Sequence, residues 1–467
     1  MELTFYGAAG TVTGSKYLLE TDFGVKLLLD CGMYQGEYNE FKHTQSFPFD
    51  AADIDYVLLS HAHIDHSGLL PLLVKKGFKG PIYCTEPTED LLHLMLMDSA
   101  HIQEQDLVYV NKVRMQKNMA LLDPLYSIED VWNTLDLIQV VDVGEKLNLH
   151  DEIYIESFSN GHILGSVAWH ITAKRKNNKQ TSLVFTGDIG RPNDPILRDP
   201  QPFTQADYII CESTYGDKVH MPFEDTSQVL LKLIRETCLE KRGKIVIPAF
   251  SVDRTQEIIY AIDRLSYEGS LPPIKVFIDS PMSTRATQIM ARHKSEFNEE
   301  ILEYISRDGD PFCFPNLVYV KDVEQSKAIN EDTTPSVIIS ASGMAEAGRV
   351  KHHIKNLITN ERNLLLFVGF ATPDSLAGKL KAGANPVRIF GEFYQVNASI
   401  VSLDYFSAHA DQKEMISYLR CQDPSFVKKI FLVHGRNTAR ESFRELLVKE
   451  GYKQVELPEF GYTYYLD

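Results

Sequence analysis

The sequence predicts an α/β protein made of two α/β parts, and three observations predict it. At 467 residues the chain is long for a single hydrophobic core, so two domains are expected. Over about the first 200 residues, short β-rich runs alternate with turns and helices, Val, Ile, Leu and Phe alternating with turn residues. Beyond Tyr208 the rhythm becomes βαβα with continuous apolar strands, and from about residue 396 short strands return.

Taken in order, the first part predicts strands at Leu3–Tyr6, Lys16–Thr21, Val25–Asp30, Tyr56–Ser60, Ile82–Thr85, Ile153–Phe158, Ala168–Ala173 and Ser182–Thr186. From Glu86 to about Val131 the chain lacks glycine and is rich in Leu, Met, Gln and Lys, which predicts helices. Ile209-Ile210-Cys211 reads as a strand. The stretch Thr226–Glu240 places Val229, Leu230, Leu233, Ile234 and Cys238 on one helical face. Lys244–Ile247 is a strand, and Asp253–Leu265 a helix that Ser251 would cap. Val276–Ile278, Val337–Ser340 and Leu364–Val368 are unbroken apolar runs, as in a parallel sheet buried on both faces. The tail predicts strands at Ala398–Leu403, Ile430–Val433, Val455–Leu457 and Thr463–Leu466. The parts are expected at 1–210, 211–395 and 396–467.

Composition narrows the class. Hydrophobic content of 44% and charged content of 24% are those of a soluble globular chain. No apolar run approaches the ~20 residues of a membrane-spanning helix, and the start Met1-Glu2-Leu3-Thr4 has neither the basic nor the apolar region of a signal peptide. The six cysteines are scattered without a CxxC pair, which predicts reduced thiols and a cytoplasmic location. With 47 basic against 64 acidic residues the net charge is −17, which argues against broad, non-specific nucleic-acid binding. A phosphate-bearing substrate would need a local positive site, which metal ions can supply.

The run Ser60-His61-Ala62-His63-Ile64-Asp65-His66-Ser67-Gly68 follows the strand-like Tyr56-Val57-Leu58-Leu59. Unpaired His and Asp are costly to bury, so this crowding points to metal ions. His61 and His63 face the same way on an extended strand exit, and Asp65 and His66 can address a second position. Imidazole with carboxylate suits zinc, with manganese or iron weaker. Three further strand-end loops each carry one ligand type: His162 in Asn160-Gly161-His162, Asp188 in Thr186-Gly187-Asp188, and His434 in Val433-His434-Gly435. Together they supply seven ligands, enough for two divalent ions with Asp188 between them. Asp30, before Cys31-Gly32, reads equally as a turn-initiating residue or as the group fixing a ligand histidine's tautomer.

The His61-Ala62-His63-Ile64-Asp65-His66 run resembles the HxHxDH signature of the metallo-β-lactamase superfamily, and Asp30, His162 and Asp188 supply its other shared motifs in order. The resemblance implies an αββα sandwich with His61, His63 and His162 on one zinc, Asp65 and His66 on the other, and Asp188 bridging. Glu212 in Cys211-Glu212-Ser213-Thr214-Tyr215-Gly216, His409 in Asp404-Tyr405-Phe406-Ser407-Ala408-His409-Ala410-Asp411, and His434 resemble motifs A, B and C of the β-CASP subfamily of nucleic-acid-processing hydrolases. That implies an inserted α/β β-CASP domain. A histidine at motif C favours RNA over DNA. The chain resembles the short bacterial and archaeal relatives of the cleavage and polyadenylation specificity factor nuclease, without the N-terminal KH-type extension of many archaeal members.

The resemblance implies a ribonuclease with two Zn²⁺, Mn²⁺ being the weaker alternative, acting through a metal-bridging hydroxide with Asp65, Glu212 and His409 as catalytic residues. Endonucleolytic cleavage is expected, with 5′-exonuclease activity in addition, on an RNA partner, with no membrane and with a homodimer allowed. His409, held by Glu212, would serve the departing 3′ oxygen; without the motifs, the pair reads as a helix-cap acid and a turn histidine. Ser340, Ser342, Gly343 and Met344, ahead of a helix expected near Ala345, would hold an RNA phosphate, with Arg254, Arg349, His353 and Lys379 adding charge. Arg436, where relatives often carry Glu, and Gly369-Phe370-Ala371 depart from the family pattern. A thioester hydrolase and a catalytically silent RNA-binding member are the competing readings.

Overall fold

A computed structural model describes residues 1–34, 46–221, 225–369, 371–403 and 406–467; Phe370, Asp404 and Tyr405 of the quoted segments lie outside the described residues. Two compact units form. The first comprises Met1–Asp194, Asp199–Val219 and His409–Asp467, the second Pro195–Arg198 and His220–Ala408. The chain thus leaves the first unit and returns to it. The handovers fall later than residues 211 and 396, and strand pairing gives the reason. Tyr208–Glu212 pairs in parallel with both Gln180–Phe185 and Lys429–Val433, which keeps Cys211 and Glu212 in the first unit. Ser399–Leu403 pairs in parallel with Leu364–Val368 and so completes the sheet of the second unit.

The first unit holds two seven-stranded sheets. One runs in the spatial order Thr463–Tyr465, Glu2–Phe5, Tyr17–Glu20, Lys26–Leu29, Tyr56–Leu58, Ile82–Cys84 and Ile138–Val140. The other runs Val455–Glu456, Lys429–Val433, Tyr208–Glu212, Gln180–Phe185, Val167–Lys174, Ile153–Ser159 and Lys146–His150. Period-two alternation puts Leu3, Phe5, Tyr17, Leu27 and Leu29 of the first sheet into one core with Ile155, Trp169, Phe185, Ile210 and Phe431 of the second. Phe5 meets Phe431 with ring centroids 5.3 Å apart, and Tyr17 meets Phe185 at 5.5 Å. The Trp169 indole N–H donates across the sandwich to the Leu59 carbonyl at 2.9 Å. The outer side of the second sheet, with Val184, Ile209 and Leu432, is covered by Met415 and Leu419 of helix Gln412–Leu419 and by Phe443 and Leu447 of helix Asn437–Lys449. The strands Ile138–Val140 and Lys146–His150 have no counterpart in the sequence reading. Each ends its sheet and is short, and of their residues only Ile138 is buried.

The second unit is built on a six-stranded sheet in the order Leu317–Tyr319, Lys275–Ile278, Ser336–Ser340, Ile245–Pro248, Leu364–Val368 and Ser399–Leu403, with every pairing parallel. Ser336–Ser340 and Leu364–Val368 are buried at every position, as their unbroken apolar pattern requires. Two local expectations are corrected. Ser251 caps nothing: helix Arg254–Tyr267 starts after Asp253, whose φ is 71°, and no side chain caps it. The helix expected near Ala345 begins at Arg349, because Ala345 and Gly348, with φ of 57° and 79°, interrupt the right-handed run. No helix among the described residues is long and apolar enough to cross a membrane.

Asp263, in helix Arg254–Tyr267, is buried and accepts the Tyr304 hydroxyl at 2.8 Å. Burial raises its carboxyl to about 7 against the lowering effect of that hydrogen bond, with Asp308 and Asp310 adding to the rise. The folded state therefore holds a proton that the unfolded state releases above its ordinary value of 3.8, so stability falls as pH rises from 4 to 7. Asp263→Asn should raise the thermal midpoint at pH 8, by the equivalent of about 2–4 kcal/mol, and leave it nearly unchanged at pH 4. A thermal-shift series across pH checks this.

Candidate metal centre

The seven expected ligands converge in the first unit because all sit just beyond strand ends at one edge of the sandwich. His61 and His63 follow Tyr56–Leu58; Asp65 and His66 ride the single-turn helix Ile64–Ser67; His162 follows Ile153–Ser159, Asp188 follows Gln180–Phe185 and His434 follows Lys429–Val433. Two close backbone approaches fix these loops. A Cβ on Gly32 would lie 1.6 Å from the Asp65 carbonyl oxygen, and one on Gly190 would lie 1.9 Å from that of Gly161, beside His162. Any side chain at either place would push a ligand loop away.

His61 Nε2 and His162 Nε2 lie 3.1 and 3.2 Å from His63 Nδ1, and Asp188 Oδ2 lies 3.6 Å from both Nε2 atoms. The edge of a tetrahedron around a zinc ion with its usual nitrogen and oxygen bonds is roughly 3.3 Å, so these four atoms fit one cation. Asp188 Oδ2 is also 3.2 Å from His66 Nε2, and Asp65 Oδ2 is 3.4 Å from His434 Nε2. The groups His61/His63/His162/Asp188 and Asp65/His66/His434 are thus adjacent, with Asp188 within reach of both. His66 Nε2 and Asp188 Oδ1 are buried without a hydrogen-bond partner. Unpaired polar atoms of this kind are expensive inside a protein, and cations would satisfy them.

The surroundings fix which nitrogen each histidine offers. Asp30 accepts from Ser60 N at 2.7 Å, Ser60 Oγ at 2.8 Å and His66 Nδ1 at 2.6 Å, which makes Nε2 the His66 nitrogen that faces the centre. Since the Ser60 hydroxyl donates to Asp30, it accepts from His61 Nδ1 at 2.9 Å, and His61 Nε2 is freed. Thr214 holds His434: its hydroxyl donates to the His434 carbonyl at 3.1 Å and lies 3.0 Å from Nδ1. Asp30 therefore fixes the His66 imidazole through Nδ1. Ser60 and Thr214 were within the quoted motifs but were given no role, since a hydroxyl beside a ligand is too common a pattern to signal one.

Electrostatics prepare the groups for a cation. Burial holds His61 well below the usual imidazole value and lowers His63 to about 4, so both are neutral ligands at pH 7. Burial would raise Asp65, but the hydrogen bond from His434 and the charge of His66 bring it to about 2. Burial likewise opposes ionisation of Asp188, and His434 and His66 outweigh it. His66 stands well above its ordinary value because the Asp188 and Asp30 carboxylates overcome its burial. A metal ion arriving at the centre would therefore displace a proton from His66.

Beside the ligands, His409 Nδ1 lies 3.2 Å from Glu212 Oε1 and 3.9 Å from Asp188 Oδ2. Glu212 is buried and accepts the backbone N–H groups of Ile189 at 2.5 Å and Thr214 at 3.3 Å. His409 rises to about 9: burial lowers it, and Glu212, Asp188 and Asp65 together outweigh that. The residues expected to touch substrate lie in the second unit, and several are internally engaged. Ser340 Oγ donates to the Asp279 carbonyl at 2.7 Å; Arg349 and the fully buried His353 each meet the Asp279 carboxylate at 2.6 Å; Arg254 pairs with Glu257. Ser342 and Met344 are half-buried, and Gly343 packs against the Phe250 ring. Lys379 is exposed, as is Arg436, the N-cap residue of helix Asn437–Lys449.

A sandwich whose strand ends gather five histidines and two aspartates defines a metal-dependent hydrolase. Comparison with known proteins agrees. Residues 18–205 match the metallo-β-lactamase superfamily domain, 255–380 the Beta-Casp domain, and 394–458 the Zn-dependent metallo-hydrolase RNA specificity domain. Ribonuclease TTHA0252 of Thermus thermophilus is 34% identical over 99% of both chains. The transcription termination factors FttA of Methanocaldococcus jannaschii and Methanococcus maripaludis are 28% and 30% identical, over 98% and 88% of this chain and 70% and 63% of theirs. The chain belongs to the β-CASP branch of the metallo-β-lactamase superfamily.

Asp30→Ala should weaken zinc binding about 10–100-fold while all seven ligands stay in place. Competition titration against a chromophoric chelator measures this. The same titration in buffers of different ionisation enthalpy should show net proton release at pH 7.

Proposed function

We propose that this protein is a zinc-dependent ribonuclease that hydrolyses RNA phosphodiesters at a two-metal centre. Cleavage is endonucleolytic, with 5′-exonuclease action in addition. The observation that carries the reading is the Glu212–His409 pair set 3.2 Å apart against the ligand cluster, an arrangement that ester or thioester hydrolysis would not require. The names of the relatives and the RNA specificity domain support RNA as the substrate. Six unpaired thiols, four of them buried, support a reducing cytoplasmic setting.

His61, His63, His162 and Asp188 would hold one zinc, and Asp65, His66, His434 and the shared Asp188 the other. Two such cations polarise a phosphoryl oxygen and lower the pKa of a water toward ~7. The Glu212 carboxylate, fixed by two backbone N–H groups, holds His409 through Nδ1 and keeps the imidazole protonated. Its Nε2 then hands a proton to the departing 3′ oxygen. The P–O3′ bond breaks as water oxygen joins phosphorus, giving a 5′-phosphate and a 3′-hydroxyl. In the second unit, Ser340, Ser342, Gly343 and Met344 would hold an RNA phosphate, with Arg254, Arg349 and His353 beside them; Ser340, Arg349 and His353 are tied to Asp279, and Arg254 to Glu257.

Incubating the zinc-loaded protein with end-labelled RNA, DNA and a thioester tests the reading. RNA alone should be cut, with internal fragments appearing early. Intact RNA together with a cleaved thioester would replace this reading with the esterase one. His409→Ala should lower RNA cleavage about 10²–10⁴-fold while zinc content stays near two per chain; loss of zinc in that variant would make His409 a ligand.

A further inference from the structure

The two-stranded hairpin Val387–Ile389/Glu392–Tyr394 stands apart from the large sheets. Val387 and Ile389 point inward and join a core with Ile354, Leu376 and Leu380. Alternation sends their neighbours the other way. Arg388 and Phe393 are directly opposite each other across the hairpin and share its outer face. Arg388 is exposed, and Phe393 is 72% exposed. At the tip, Phe390 (φ 50°) is 48% exposed. The helix Arg349–Leu357 lines this tip with two lysines and a histidine. Lys351 Nζ lies 5.4 Å from the Phe390 centroid, the His352 ring lies 4.5 Å from it, and Lys355 Nζ lies 5.7 Å from the Tyr394 centroid.

The local charge runs against the rest of the chain. Residues 348–391 carry seven Lys and Arg against Glu361 and Asp374 alone, in a protein of net charge −17. Part of the positive charge is answered: Arg349 pairs with Asp279 at 2.6 Å, and at the margin Glu346 and Glu392 lie 3.7 and 3.6 Å from Lys351 and Lys355. Among the described residues no carboxylate pairs with Arg388; its Nε donates to the Gly391 carbonyl at 3.1 Å, which holds the guanidinium along the turn. An aromatic ring left to solvent beside a held guanidinium is chemistry suited to a nucleobase and its phosphate: the ring stacks on any base, and the cation meets the backbone.

We propose that the outer face of this hairpin, with Phe393, Arg388 and Phe390, binds a single-stranded stretch of RNA, with Lys351 and His352 supporting it. The site lengthens the grip on the substrate proposed above and rests on that reading for its ligand. Its contribution appears only with RNA long enough to reach it, and it reads no sequence, because stacking is available to every base. A second copy of this chain is the other occupant an exposed aromatic face could take, and the run of basic residues argues against it, because two like-charged faces repel.

Fluorescence anisotropy of the zinc-loaded protein with cleavage-resistant phosphorothioate oligouridylates of about 30 and about 6 nucleotides tests this separately from catalysis. The double variant Arg388→Ala/Phe393→Ala should bind the long RNA about tenfold more weakly and the short RNA as before, with zinc content and thermal midpoint unchanged. Phe393→Trp, which keeps a stacking ring, should retain long-RNA affinity and controls for disruption of the hairpin. Unchanged long-RNA binding in the double variant would overturn the proposal, as would equal loss for both lengths. A shift in mass by light scattering would overturn it too, assigning the face to a contact between copies. Because binding is read on an RNA that is not cut, the hairpin site can fail while the nuclease reading stands, and the nuclease reading can fail while the hairpin still binds.

Discussion

The first unit is arranged around one carboxylate oxygen, Asp188 Oδ2. It lies 3.2–3.6 Å from the Nε2 atoms of His61, His66 and His162, so ligands carried by both sheets meet at one atom. Bringing five imidazoles and two carboxylates together inside a protein is unfavourable unless something compensates their desolvation. Protons can do so only in part. His66 takes one readily, whereas burial keeps His61 and His63 neutral. What remains is a set of neutral nitrogens and ionised oxygens aimed at a common space, which suits divalent cations and little else.

Convergence of this kind depends on backbone held far from the ligands in sequence. Ser15 N donates to the Asp65 carbonyl, Cys31 N to that of His66, and His434 N to that of Ala8. Lys16, fully buried, donates from Nζ to the carbonyls of Gly14 and Gly32, at 2.9 and 2.7 Å, and so clamps two ligand-supporting loops together. Burial lowers its ammonium to about 8. A lysine held this way leaves its charge facing carbonyl dipoles rather than substrate. It is part of the frame on which the histidines are mounted.

The His/Asp cluster was legible in the sequence because each of its members sits within a short strand-turn pattern, and short-range patterns survive without knowledge of the fold. Asp30 was half legible: its place before Gly32 fits a turn as well as it fits a partner for His66, and only the 2.6 Å contact separates the two. The strands Tyr208–Glu212 and Ser399–Leu403 were seen, but their allegiance was not. An apolar strand carries no mark of the sheet it joins, and both pair with strands distant in sequence. The loop after Ser340 misled for a different reason. Ala345 is a good helix former by composition, yet its positive φ delays the helix to Arg349. Asp279, which gathers Arg349, His353, Ser326 and Ser340, gave no signal at all, because a lone Asp after an apolar strand is an ordinary turn residue.

Those internal pairings bear on how an acidic chain can handle a polyanion. Arg191 is spent on Glu414, Arg254 on Glu257, and Arg349 with His353 on Asp279. Several cations that looked available for phosphate are thus neutralised by carboxylates at contact distance. Divalent ions held there by imidazoles and only two carboxylates would leave the centre positive in a chain of net charge −17. Attraction for phosphate then concentrates at the place of chemistry, and net charge says little about it. The same reasoning explains why composition argued against broad nucleic-acid binding while the motifs around Glu212, His409 and His434 resembled those of nucleic-acid-processing hydrolases. Composition averages over the surface, whereas the motifs mark a region where bound cations would reverse the sign of the charge.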